Sequence, residues 1–283
     1  MFAKRVPLTD LELAHPRSTA NLFGLPLHCQ YGIGSPGFNA WRELAANSTV
    51  TAAVLSGETD AFPLLHHWRV LPGRPPVADE HADIEEAAAA LGGGPAVRAR
   101  LQALAAASSS LVMIWEHLPH PLGPWLADDP VGKAVSVEQQ LLEITRFLRG
   151  RGLLHMDGHF DNMRVDGGRI YLTDFGLATS AGLELTDAEQ DFVRRNAQHD
   201  TDYAVMRLVN WLVTEVCGVA VPANAAPVAR DEYVMRSAAG DIPADVPPTV
   251  AAVLARHSRV AVRMNALYRR LFGGDLRAEY PGA

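Results

Sequence analysis

The stretch His155 to Asn162, HMDGHFDN, packs two Asp, two His and one Asn into eight residues, and Asp174-Phe175-Gly176 begins twelve residues later. Between them lie MRV and RIYLTD, two β-type runs joined by Asp166-Gly167-Gly168. An Asp-Gly turn between such runs is a hairpin signal. A single hairpin returns the chain to where it began, so the loop carrying Asp157 and Asn162 should lie beside Asp174. Two carboxylates and an amide oxygen then converge on one point. Hard oxygen ligands of this kind suit Mg2+ bridging nucleotide phosphates.

The flanking sequence supplies the support. Residues 2–7, FAKRVP, read as a short strand ended by Pro7, and 26–34, PLHCQYGIG, as another. FNAWRELAAN, 38–47, reads as a helix with Asn39 as N-cap and Asn47 near its end. A strand is expected over 62–72 between prolines. The Ala-rich segment 80–107 is helical but interrupted by Gly92-Gly93-Gly94, which makes it a helix hairpin. SLVMIWEHLP, 110–119, begins as a buried strand. The clearest amphipathic helix spans 136–152, with Ser136 as cap and Gln139 at capping-box spacing. Beyond residue 180 the pattern is nearly all helix: one starting at Thr186, one over 200–216, and one or two over 248–272, with proline-rich loops at 72–76 and 221–227. Strands with one helix, a helix hairpin, another strand and then helices indicate an α+β chain. Its small mixed lobe should span 1–118 and carry the insertion at about 80–107, and its helical lobe should span 119–283.

Composition narrows the function classes. The formal net charge is −7 and the apolar fraction 48%. A sizeable core is affordable, and nothing suggests a nucleic-acid face or a basic membrane patch. No apolar run reaches membrane-spanning length, and MFAKRVPLTD has no signal-peptide core, so a cytoplasmic location is expected. Cys29 and Cys217 lie too far apart for a zinc motif or a disulfide framework. Only Lys4 and Lys133 are lysines.

His155, Asp157 and Asn162 form H-x-D-x-x-x-x-N, and with Asp174-Phe175-Gly176 this resembles the protein-kinase-like superfamily, in particular aminoglycoside-phosphotransferase-like bacterial kinases. The resemblance is strongest over 136–180, weaker over 38–120 and only architectural after 180. It implies a two-lobed kinase-like fold and transfer of the ATP γ-phosphate to a hydroxyl. Asp157 would orient the hydroxyl or take its proton, and His159, where protein kinases usually carry Lys, would contact the transferred phosphate. Asn162 and Asp174 would hold Mg2+. LVMIWEHLP resembles the strand and hinge that hold adenine, with Glu116 and Leu118 offering backbone groups. AWREL and FAK resemble the elements carrying the ion-paired Glu43 and Lys4. His155 would peg the loop, and Asp200 or Asp202 would tie it down.

Two departures stand out. The superfamily places a Gly-rich loop before the lysine, yet only three residues precede Lys4. GIGSPG, 32–37, has the G-x-G-x-x-G spacing but follows Lys4, and reads better as a turn before a helix. An unusual lobe, upstream residues or a partner chain completing the ATP lobe would account for this. No A-P-E motif follows Asp174, which argues against a protein-kinase substrate platform. His66 and His67 are adjacent on a strand and point to opposite faces, so they do not read as a metal pair. The Ala-rich hairpin reads as a packed insertion. The expected activity is therefore ATP- and Mg2+-dependent phosphorylation of a small molecule or a peptide. The rival is a pseudokinase acting as a binding partner.

Overall fold

In a computed structural model, residues 1–223 and 226–282 are described, and the chain is α+β. Its elements are β1 (Phe2–Leu8), α1 (Asp10–Ala14), α2 (Ala40–Leu55), β2 (Leu65–Pro72), α3 (Ile84–Ala90), α4 (Pro95–Ala106), β3 (Ser109–Trp115), β4 (His120–Pro121), α5 (Leu122–Ala127) and α6 (Pro130–Gly150). They continue as β5 (Leu153–Leu154), β6 (Met163–Asp166), β7 (Arg169–Leu172), β8 (Thr179–Ser180), α7 (Asp187–Arg195), α8 (His199–Glu215), α9 (Val228–Ala238) and α10 (Pro248–Phe272). No helix among the described residues is long and apolar enough to cross a membrane.

The first sheet is antiparallel with order β1-β3-β2. Lys4 pairs with Met113 and Phe2 with Trp115, so alternation puts Phe2 and Lys4 on one face, as expected. Pro7 does not end β1; it pairs with Ser110. An edge strand tolerates a residue with no N–H to donate. The sheet packs on α2 through Trp41 and Leu44 against Leu8, Leu111, Met113 and Trp115. Helix α2 starts at Asn39, whose side chain accepts the Trp41 N–H, and runs past Asn47. Asn47 is no stop signal: its amide donates to the Glu43 carbonyl and accepts from the Trp115 indole.

Two other expectations fail for identifiable reasons. Residues 26–34 are not a strand; Leu27–Gln30 form a 3-10 turn. Leu25 and Cys29 join Phe38, Ala88 and Leu101 in a small core beneath α3 and α4, so side-chain packing holds this segment rather than a ladder. Helix α6 starts at Pro130, not Ser136. Asp129 accepts the Gly132 N–H at 2.9 Å and Pro130 sits in the first turn, where its missing N–H costs nothing. Ser136 lies inside the helix and accepts from Gln140. The Asp-Pro pair was the better start signal.

The helix hairpin on either side of Gly92–Gly94, the Thr186 capping box and the β6–β7 hairpin all form as the sequence indicated. Residues 248–272 form one helix. In the loop expected at 221–227, residues 224 and 225 lie outside the described residues. The largest core joins α6, α8 and α10 through residues such as Leu141, Leu208, Val209, Leu254 and Met264.

Arg42 is the main polar bolt between α2 and α7. It is 1% exposed, donates to Glu189 Oε1 at 2.7 Å and to the Thr19 carbonyl at 2.6 Å, and stacks over Phe38. It therefore offers no phosphate contact in place of Lys4. Arg42→Met leaves the Glu189 carboxylate buried without its cation, which should cost about 3–5 kcal/mol. Urea unfolding should show that loss and its partial recovery in Arg42→Met/Glu189→Leu. A midpoint unchanged in the single variant would disprove the pairing.

Candidate active site

Asp200, at the start of α8, organises the loop. Its Oδ2 accepts the His155 N–H at 2.5 Å and its Oδ1 accepts the Met156 N–H at 3.0 Å. Asp202 instead accepts from the Tyr280 hydroxyl, which decides between the two candidates. With both amides held, Met156 adopts φ +66°, a conformation that disfavours side chains. Asp157 follows directly from this forced turn.

Two stitches bring the loop to the end of β7. His155 Nε2 donates to the Thr173 carbonyl at 2.9 Å while Nδ1 accepts the Asp157 N–H at 3.3 Å. Thr173 N–H and Oγ1 both donate to the Asn162 carbonyl at 2.8 Å. His155 is thus the expected peg, and the β6–β7 hairpin is the spacer. Asn162 Nδ2 donates to the Asp157 carbonyl at 2.9 Å and to Asp157 Oδ2 at 3.3 Å, which leaves the amide oxygen as the atom that could ligate a metal. Asp174 sits at φ +60°, followed by Phe175, buried against His155 and Phe62.

The Lys4 amine lies 2.8 Å from Glu43 Oε1 and 2.7 Å from Asp174 Oδ1. Burial alone would lower the amine's pKa, but Glu43 and Asp174 outweigh it and raise it. Burial raises Glu43, and Asp174 adds to that against Lys4. Asp174, though burial opposes it, is held below the usual carboxylate range by Lys4. Lys4 thus stays charged, and Asp174 keeps its anion for a cation. Among the described residues no group of three or more His, Cys, Asp or Glu gathers to hold a metal by itself. Asp174 and Asn162 can supply two hard oxygen ligands. That donor set fits Mg2+, which commonly takes its remaining ligands from water and phosphate.

These residues line a cleft of about 660 Å³ that holds Lys4, Glu43, Asp157, His159, Asn162 and Asp174. A second hollow of about 480 Å³ shares Lys4, Glu43, Asn162 and Asp174 and continues to Phe2, Trp115, Glu116 and Leu118. The Glu116 N–H is already used, donating to the Leu64 carbonyl at 3.2 Å, and its carboxylate accepts the Leu64 N–H. Its carbonyl and the Leu118 backbone remain for a ligand edge. His159 stands 3.6 Å from Asp157 Oδ2, too far for a hydrogen bond. Burial, and then Arg207, lower its pKa, so it enters the site as a neutral imidazole and not as a substitute for a lysine cation.

Three features escaped sequence reasoning. GIGSPG does precede α2, but it also lines the cleft. A Cβ on Gly32 would lie 2.2 Å from Asp157 Oδ1, so only glycine permits this approach. Gly37, at φ +68°, lies against the Gly176 carbonyl. The Ala-rich insertion fixes this loop: Arg100 Nε donates to the Gly37 carbonyl at 3.2 Å and His81 Nε2 to the Gly34 carbonyl at 3.0 Å. Tyr203 and Arg207 also line the cleft. They stand three and seven residues after Asp200, the spacing of one helix face, and that signal could have found them.

Asp157 is pushed up to about 6, mainly by burial and further by Asp174, with His155, Asn162 and Arg207 opposing. Its charged form is therefore disfavoured by the fold. The unfolded chain ionises it near 4, so between about 4 and about 6 the folded state holds the extra proton and wild type loses stability as pH rises. In metal-free protein, Asp157→Asn should be more stable than wild type at pH 7.5, by about 3 kcal/mol at most given partial solvent screening. The difference should shrink below pH 6 and vanish near pH 4. Thermal melts across this range check it, and a destabilised variant at pH 7.5 would make Asp157 a structural turn residue. Neither a protein-family model nor a curated protein sequence matches this chain.

Proposed function

We propose that this chain is an ATP-dependent phosphotransferase of the protein-kinase-like superfamily, two-lobed, with a hydroxyl as phosphate acceptor. One observation carries the reading: the Lys4 amine, between Glu43 and Asp174 at 2.8 and 2.7 Å, opens onto the same cleft as Asp157. Three distant segments converge there in the order and spacing that the superfamily uses for phosphoryl transfer.

In this reading Phe2 and Trp115 flank the adenine, while the Glu116 carbonyl and the Leu118 backbone meet its edge. Lys4 holds phosphate oxygens and Glu43 keeps Lys4 extended. Mg2+ held by Asp174 and Asn162 would neutralise phosphate charge. The GIGSPG loop would lie over the phosphates in place of a glycine loop ahead of the lysine. Asp157 orients the acceptor hydroxyl and takes its proton. An elevated pKa makes it a better base while leaving most of it ionised at neutral pH. Neutral His159 serves as a hydrogen-bond donor to the transferred group. The pseudokinase alternative drew on the lack of a glycine loop. The glycines of GIGSPG beside Asp157 support the enzyme reading over that alternative.

Two measurements test the reading. Calorimetric titration with a non-hydrolysable ATP analogue should show Mg2+-dependent binding that Asp174→Ala abolishes and Lys4→Met weakens. A wild type that binds no nucleotide with or without Mg2+ would favour the pseudokinase. Once product mass spectrometry identifies an acceptor, Asp157→Asn should lower turnover by roughly 10²-fold or more with nucleotide affinity little changed. Wild-type turnover in that variant would remove Asp157 from its role.

A further inference from the structure

The cleft that contains Asp157 continues into a second cavity of about 570 Å³, walled by α8, α9 and α10. The two share Tyr203, Arg207 and Phe272. Three guanidinium groups line the second cavity, from Arg207, Arg230 and Arg269, against one carboxylate, Asp231. Asp231 is already committed. It accepts from Arg269 through Oδ2 and from Asn265 through Oδ1 at 3.2 Å. Arg230 pairs with Asp231 only at 3.7 Å, beyond hydrogen-bond distance, and among the described residues its buried Nε has no hydrogen-bond partner. Arg207 makes no hydrogen bond or ion pair among the described residues and faces both cavities.

Half-burying guanidiniums around one carboxylate that is already paired with Arg269 is costly. Burial lowers the Arg230 pKa, Asp231 offsets this only in part, and Arg207 adds to the lowering. Two guanidiniums lining one cavity can receive a planar or tetrahedral oxyanion. Phe272, 70% exposed at the end of α10, gives the mouth an apolar rim, and Tyr203 gives the junction an aromatic wall. The cavity's volume suits a small molecule.

Resting on the phosphotransferase reading, we infer that the acceptor is a small alcohol bearing its own carboxylate or phosphate, with the anion between Arg207 and Arg230 and the hydroxyl directed to Asp157. A polyamine acceptor of the aminoglycoside type would bring ammonium groups against these guanidiniums and is disfavoured.

The test uses the full chain and four probes on a three-carbon skeleton: glycerate, glycerol 1-phosphate, glycerol and 2-amino-1,3-propanediol. Binding is measured by calorimetry with and without the Mg2+-loaded ATP analogue. The two anionic alcohols should bind and the neutral and cationic ones should not. Comparing glycerate with glycerol 1-phosphate separates a carboxylate acceptor from a phosphate ester. Arg207→Gln and Arg230→Gln should each weaken anion binding about tenfold or more, as loss of a charge-assisted hydrogen bond does. Unchanged nucleotide affinity and thermal midpoint in Arg230→Gln would show that the fold is intact. Anions that bind wild type and an Arg207→Gln/Arg230→Gln double variant equally, or do not bind wild type, or bind less well than the amine, overturn the assignment. Arginine-dependent anion binding in a protein that binds no nucleotide overturns the phosphotransferase reading and leaves the anion pocket standing.

Discussion

The Lys4 ammonium, shared by Glu43 and Asp174, joins residues 39 and 170 positions away along the chain. Glu43 is nearly inaccessible, and its carboxylate faces that of Asp174 across one amine. Without the cation, two like charges would be left in a low-dielectric setting, the costly arrangement for buried ions. The position of β1 against α2 and the left-handed turn at Asp174 are thus coupled through one charge. In the proposed phosphotransferase the same charge would meet the nucleotide, so the geometry that stabilises the fold also prepares the site.

Around this centre the structure keeps local conformations that would not persist alone. Met156 and Asp174 both occupy the left-handed region. Asp200 enforces the first through two backbone amides, and the Asn162–Thr173 bonds frame the second. Such strain survives where surrounding contacts over-determine it, and it concentrates at functional sites. The raised pKa of Asp157 belongs to the same pattern. A carboxylate held half out of water is a poor contributor to stability and a good proton acceptor.

The Ala-rich insertion acquires a purpose from what its two helices carry. Arg100 is 2% exposed; it pairs with Glu12 at 3.0 Å and also donates to the Gly37 carbonyl. Glu12 in turn caps α1 and accepts the Ala40 N–H at the start of α2. One buried pair therefore ties the insertion, the glycine loop and two helix starts together. A loop of glycines next to Asp157 would otherwise have ample freedom to move away.

The sequence by itself determined what depends on local chemistry and short spacing. The Asp-Gly-Gly turn dictated the β6–β7 hairpin, Asn39 and Thr186 dictated helix starts, Gly92–Gly94 split the insertion, and strand alternation put Phe2 and Lys4 on one face. The grouping of Asp157, Asn162 and Asp174 followed because one hairpin spans their separation. Only the tertiary structure decided contacts between segments far apart. It chose Asp200 over Asp202, brought GIGSPG from the wrong side of Lys4 onto Asp157, packed residues 26–34 as a turn instead of a strand, and left Arg207 facing a cavity with no hydrogen bond or ion pair among the described residues. The physical reason is that periodicity and turn chemistry describe a residue's neighbours within a few positions. Burial, counter-charge and close backbone approach are set by whichever distant segment the packed core places opposite.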